Sequence, residues 1–193
     1  MAYQRRRSEN YRGGCDFITT DGTKHTIPGK WDLIIAHPPC TYLSNVATRS
    51  FSLKATPADK VVKRWENRAK AAVFFMLFAL ADSPRVAVEN PVGFMSSAYR
   101  KPDQIISPWM FAQGPNDKEN YAGKKTCLWL KGLPKLQGNG IIKSFDNGEV
   151  YGQYSSGKNK SWVDSRVRAS KDRSKTFPGI ANAMAEQWGA IEE

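Results

Sequence analysis

The sequence predicts an α/β domain built on a mostly parallel sheet, and three observations carry that expectation. Leu33–Ala36 and Val86–Val88 are short, branched-rich apolar runs without polar alternation, the pattern of strands buried on both faces. Each run stops abruptly, the first at His37-Pro38-Pro39-Cys40 and the second at Glu89-Asn90-Pro91. Between them, residues 59–81 repeat apolar side chains at three- and four-residue spacing, over a length that suits a crossover helix joining two parallel strands.

The elements follow in order. Residues 1–14 are polar, basic and Gly-ended, and read as a flexible basic arm; 15–193 read as one domain. Phe17–Thr20, the Asp21-Gly22 turn and His25–Ile27 form a small β-hairpin. Asp32–Ala36 is the first core strand, and Pro38 and Pro39 end it in an extended turn that lifts Cys40 out of the sheet. Residues 41–58 are a loop rich in Ser, Thr and Asn. In the helix, Val61, Val62, Trp65, Ala69, Ala72, Val73 and Met76 supply the apolar face, with Lys60, Lys63, Arg64 and Lys70 falling between them. Thr56-Pro57 starts this helix and Ser83-Pro84 stops it. Arg85–Glu89 is the second core strand, adjacent to the first. Residues 90–126, broken by Pro91, Gly93, Pro102, Pro108, Gly114, Pro115 and Gly123, form an irregular excursion facing the active site or substrate. Thr126–Leu130 is a third strand, closed by Gly132-Leu133-Pro134. Residues 137–175 are Gly-, Ser- and Lys-rich, a flexible basic loop. Phe177-Pro178-Gly179 opens a last amphipathic helix over Ile180–Trp188.

A chain of 193 residues, 40% hydrophobic and with six tryptophans, can bury a real core. Its longest apolar stretch, Ala71–Ala81, is too short to span a bilayer. No apolar segment follows Arg5–Arg7, so no secretory signal is expected and the setting reads as cytoplasmic. Cys15, Cys40 and Cys127 are odd in number and widely spaced, which suits reduced thiols rather than a disulfide framework. With only His25 and His37 to add, no metal-ligand spacing is present. The net charge of +11 points to a polyanion. Tyr151, Tyr154 and Trp162 lie among the lysines and arginines of the C-terminal third, which favours nucleic acid over a merely solvated surface.

Ligands of open α/β sheets bind at the carboxyl ends of the strands. Cys40 and Glu89 are therefore expected to face one crevice, close enough to hold a pyrimidine ring between them. Cys40 reads as a nucleophile, exposed by the prolines, with His37 and Arg49 as nearby groups that favour the thiolate. The alternative is a small buried hydrophobe. Glu89 reads as a buried acid able to protonate or hydrogen-bond a ring nitrogen, or else as a salt-bridged carboxylate. Pro91 fixes Asn90 in an extended conformation. His37 either orients substrate or caps its strand, and Pro39 and Thr41 flank the thiol at the substrate. Lys124 and Lys125, ahead of the third strand, contact a phosphate or are solvated. Cys127 lies in an apolar strand and reads as core.

Asp32–Cys40 resembles the catalytic loop of DNA cytosine-C5 methyltransferases, where Pro-Pro-Cys supplies the nucleophile. Val86–Pro91 resembles their Glu-Asn-Val motif, here Glu-Asn-Pro. From about Cys15 onward the chain is similar to small phage and prophage proteins described as cytosine methyltransferase-like, through Trp31–Tyr42, Ala87–Met95, Tyr99–Phe111, Lys125–Leu136 and Arg173–Gly189. The resemblance implies a Rossmann-like, methyltransferase-type sheet in a phage- or prophage-encoded protein of the bacterial cytoplasm. It implies DNA as partner and S-adenosylmethionine as methyl donor. It assigns Cys40 to add to C6 of a flipped-out cytosine and Glu89 to bind the N3/N4 edge.

The family's front half, a strand and a Gly-containing turn that hold the cofactor, has no counterpart in the roughly 30 residues before Trp31, so the fold reads as N-terminally shortened and the cofactor-binding residues stay unassigned. Gly13-Gly14 follows no predicted strand, and Lys124-Lys125-Thr126 is only a loose substitute for the family's Gln-x-Arg-x-Arg element. Two other functions stay open: a catalytically incomplete phage nucleic-acid-binding protein, and a nucleotide-level pyrimidine-modifying enzyme. Without a cofactor strand beside it, Asp32–Ala36 would expose an edge. The hairpin, a second copy of the chain or a partner chain is expected to cover that edge.

Overall fold

The computed structural model describes residues 3–7, 14–18, 24–28, 31–145, 153, 157 and 176–189. Strands β1 (Tyr3–Arg7), β2 (Gly14–Ile18) and β3 (Lys24–Pro28) are described by their backbone alone. The chain divides into two compact units, residues 1–105 with 126–135, and residues 106–125 with 136–193.

The first unit is a mixed α/β layer. Its two apolar runs form β4 (Trp31–Ala36) and β5 (Val86–Pro91). They pair in parallel, with Ile34 opposite Val86 and Ala36 opposite Val88. Helix α1 (Ala58–Ala79) is the crossover between them, as its position in the sequence requires. The third expected strand is β7 (Thr126–Lys131). With β6 (Gln104–Ile106) the sheet order is β1-β4-β5-β7-β6.

The expectation of a mostly parallel sheet is corrected here: β4–β5 is a parallel pair, whereas β1–β4 and β5–β7 are antiparallel. The cause lies in the connection. The chain leaves β5 at its carboxyl end and comes back into β7 at Thr126, opposite Pro91, so it has to run backward along β5.

The basic arm is also corrected. Its residues Tyr3–Arg7 form β1, antiparallel to β4, with Tyr3 opposite Ile35 and Arg7 opposite Trp31. An edge strand tolerates the charged residues that made this segment read as unstructured. β1 occupies the β4 edge that was expected to need a second copy or partner. The expected hairpin is present as β2 and β3, a separate two-stranded antiparallel sheet. Its turn, and most of 137–175, lie outside the described residues.

On α1 the buried face is Val61, Arg68, Ala71, Phe75 and Phe78. Val62, Trp65, Val73 and Leu80, three of them assigned to the core by spacing, are exposed. From Ala71 onward the helix is apolar all round, so periodicity alone cannot choose its face. Phe75 is fully buried and packs edge-on to Trp129, with centroids 5.0 Å apart. Around it gather Ala36, Leu43, Val86, Val88, Met95 and Cys127. Gly132 closes β7 with φ +60°, and a side chain there would collide with the Pro84 carbonyl. The excursion expected to be irregular carries short elements: α2 (Met95–Ala98), β6 and a 3-10 helix over Pro108–Phe111. Among the described residues no helix is long and apolar enough to cross a membrane.

In the second unit, helix α3 (Pro178–Gly189) covers the expected C-terminal helix and buries Ile180, Met184 and Trp188. Asn120 Oδ1 accepts from Gly179 N at 2.7 Å. Asn120 is itself held by Asp117, whose carboxylate accepts from Gln113 N at 3.0 Å and from Asn120 Nδ2. Burial pushes the Asp117 carboxyl up, but these N–H groups outweigh it and hold the group below its ordinary value. The stabilisation is therefore complete above the ordinary carboxylate range and is lost as pH falls through the lowered value. Asp117→Asn is expected to cost about 1 kcal/mol at neutral pH. That deficit should shrink below about pH 4, which urea denaturation at the two pH values checks.

Candidate active site

Because β4 and β5 are parallel with Ala36 opposite Val88, the residue after β4 comes level with Glu89, while β5 runs on to Pro91. His37, just past Ala36, meets Glu89: Nδ1 donates to Oε2 at 3.0 Å. Both side chains are about four-fifths buried, at 21% and 19% exposure. Asn90 is fully buried, and its Nδ2 donates to the Pro38 carbonyl at 2.8 Å. A proline has no N–H, so β4 cannot continue its ladder past His37. Pro38 instead turns its carbonyl to Asn90, while Pro39 is exposed.

Cys40 is a half-buried thiol at the top of this turn. Its carbonyl accepts from Leu43 N at 3.0 Å and Ser44 N at 2.9 Å, which starts one tight turn of chain. The loop after Cys40 is zipped to the loop after β5. Phe94 N donates to Leu43 O at 2.7 Å, Asn45 N donates to Val92 O at 3.3 Å, and Ser44 bridges Gly93. Any Cβ at Gly93 would overlap the Leu43 carbonyl, so only glycine allows this approach.

The structure thus brings together His37, Pro39, Cys40, Glu89, Asn90 and Pro91 at one end of the sheet. Thr41 is exposed beside the thiol, and Arg49 is exposed on a 3-10 helix over Asn45–Phe51. Lys124 and Lys125 belong to the second unit, where the Lys124 ammonium lies 5.7 Å from the Phe177 ring. Cys127 is fully buried in β7, opposite Asn90. Burial and the charge of Glu89 push its thiol up, against a weaker hydrogen bond with Ser96, so it stays neutral.

Sequence reasoning placed Arg64 among solvent-facing residues and passed over Arg68. In the structure Arg68 is only 8% exposed. Its Nε donates to the Tyr42 carbonyl at 2.9 Å, and its guanidinium lies 3.4 Å from the Phe51 ring centroid and 4.8 Å from that of Phe94. The Arg64 guanidinium lies 5.1 Å from the same Phe51 ring and 5.2 Å from Tyr42. The signal was in the spacing: Val61, Arg68, Ala71, Phe75 and Phe78 follow one helical stripe.

Comparison with family models, with curated proteins and with solved structures finds no match for this chain.

Asn90→Ala would strand the Pro38 carbonyl in a buried site, an expected loss of ~1–3 kcal/mol in denaturant unfolding. Gly93→Ala should cost a similar ~1–3 kcal/mol through overpacking. The burial difference between the thiols has its own readout. In a Cys15→Ser background, native protein should consume one equivalent of a small alkylating reagent and unfolded protein two. Cys40→Ser should remove the native reaction, and rapid native labelling of Cys127 would contradict this packing.

Proposed function

We propose that the chain is a DNA cytosine-C5 methyltransferase-like protein that acts on a flipped-out pyrimidine through covalent addition of Cys40. The observation that carries this reading is the clamp between the two motif-bearing strand ends, Asn90 to Pro38 and His37 to Glu89. It fixes a thiol and a carboxylate at one end of one sheet. The β4–α1–β5 crossover is read as the Rossmann-like unit of such a protein. A phage- or prophage-encoded protein working in the bacterial cytoplasm is the setting that the resemblance implies.

The chemistry follows from the two groups. A base must leave the stack before C6 is accessible. The Cys40 thiolate then forms an S–C6 bond, and the C5=C6 electron pair moves onto C5 and the ring. A Glu89 oxygen on the N3/N4 edge stabilises that charge by hydrogen bonding or by giving up a proton. His37 holds Oε2 and leaves Oε1 for the ring. C5 is now nucleophilic. If it takes a proton from water and loses the original hydrogen before the S–C6 bond breaks, the base is regenerated with an exchanged C5 hydrogen.

S-adenosylmethionine is the methyl donor that the resemblance implies. The described residues do not fit it: the other neighbour of β4 is antiparallel β1, which ends opposite Trp31, away from Cys40.

Tritium release from DNA carrying [5-³H]cytosine tests the addition, with and without S-adenosylmethionine. The full chain is expected to release tritium in both cases, and Cys40→Ala to fall to background. Glu89→Gln should lose roughly 100-fold or more. His37→Gln should lose less, because it leaves both Cys40 and Glu89 in place. Salt-sensitive DNA binding without release or methyl transfer would replace this reading with the nucleic-acid-binding protein. Preference for deoxycytidine monophosphate over DNA would replace it with the nucleotide-level enzyme.

A further inference from the structure

We propose that Arg64 and Arg68 form an anion site that takes a phosphate of the strand whose base is held at Cys40. The identity of that strand rests on the function proposed above; the anion site itself rests on the packing.

Arg64 and Arg68 are one helical turn apart on α1, a spacing at which like charges repel. Both guanidinium groups face the Phe51 ring, and Arg68 is nine-tenths buried. Buried charge is costly unless an opposite charge or full hydrogen bonding accompanies it. Here neither does. Among the described residues the ion pairs are His37–Glu89 and Arg100–Asp103, and neither involves this pair. The Nε of Arg64 is buried with no hydrogen-bond partner. Burial and the neighbouring Arg64 charge both hold Arg68 below its ordinary value. A cation–π cluster accounts for one arginine against Phe51, but a second like charge with an orphaned donor lacks its counterpart.

The chemistry of that counterpart is specific. Two planar guanidinium groups with free N–H donors match the oxygens of a phosphate, which they can bind bidentately. The location is equally specific. Tyr42 and Phe51, which these arginines contact, lie in the segment that follows Cys40 directly. An anion here would neutralise the pair and fix the loop beside the thiol. Trp65, 4.9 Å from the Arg68 guanidinium and 47% exposed, adds a ring on which an adjacent base can stack.

The test uses the full chain and Arg64→Gln, which leaves the more deeply buried Arg68 in place. In buffer without multivalent anions, the variant is expected to melt at a higher temperature than the wild type, because a like-charge contact is gone. Inorganic phosphate should raise the wild-type melting temperature above an ionic-strength control of sodium chloride and leave the variant unmoved. On a single-stranded oligonucleotide containing cytosine, the variant should bind more weakly, with a log K against log salt slope shallower by about 0.7. A neutral methylphosphonate beside the cytosine should bring wild-type binding down to the variant's level.

A lower melting temperature for the variant, with no difference in phosphate response, would overturn the site and leave a structural cluster. Oligonucleotide binding with an unchanged salt slope would overturn the site while leaving the proposed function standing. Phosphate stabilisation through Arg64 without oligonucleotide binding would keep the anion site and remove the nucleic-acid reading.

Discussion

The parallel register of β4 with β5 is the constraint from which the rest of the first unit follows. Ala36 opposite Val88 brings His37 level with Glu89, and a parallel pair needs a crossover, which α1 supplies. A slip of one residue would send every side chain of β4 to the other face. His37 would then point away from Glu89, and Pro38 would lose its bond to Asn90. On β4, Leu33 and Ile35 are buried on one face while Asp32 and Ile34 on the other are only partly buried, which opposes that slip. Core packing on β4 thereby sets the geometry of the polar groups beyond it.

Charge is distributed unevenly around this end of the sheet. At the strand ends, the Glu89 carboxylate is met by the His37 ring at 3.0 Å. On the helix side, two arginines share an aromatic surface without a carboxylate. The same loop, from Tyr42 to Phe51, separates the two regions, and Arg68 anchors it through the Tyr42 carbonyl. Protein that leaves a cation pair uncompensated gives up stability in the free state, and that loss is recovered only when an anion arrives. On the anion site proposed above, binding there would act on the loop next to the thiol through Arg68 and the Tyr42 carbonyl.

Much of this was legible in the sequence. Leu33–Ala36, Val86–Val88 and Thr126–Leu130 are apolar runs cut off by prolines, glycine or charge, and each is a strand. Cys40 and Glu89 follow those apolar runs, which is why both could be expected at the same end of the sheet before its strand order was known. The side of α1 that packs was not legible, because Ala71–Leu80 is apolar in every direction. Spacing puts Arg68 on the buried stripe, but does not reveal the aromatic rings on which its guanidinium lies flat. Strand β1 was missed for a related reason: Arg5, Arg6 and Arg7 read as solvated arm, and an edge strand accepts them. The direction of β7 depends on where a long excursion returns, and no local pattern states that.

The direction of β1 bears on the chemistry as well as the fold. Tyr3 lies opposite Ile35 and Arg7 opposite Trp31, so the chain enters β1 at the carboxyl end of β4 and leaves at the other. In open sheets a turn that cradles a cofactor follows the carboxyl end of a strand parallel to its neighbours. A methyl donor placed against C5 of a ring at Cys40 cannot draw on that arrangement here. On the function proposed above, the groups that would meet the ring are Cys40 and Glu89, for addition at C6 and for holding the ring edge. Proton exchange at C5 needs nothing more than these groups and water, whereas methyl transfer needs a donor held by residues other than a turn after β1.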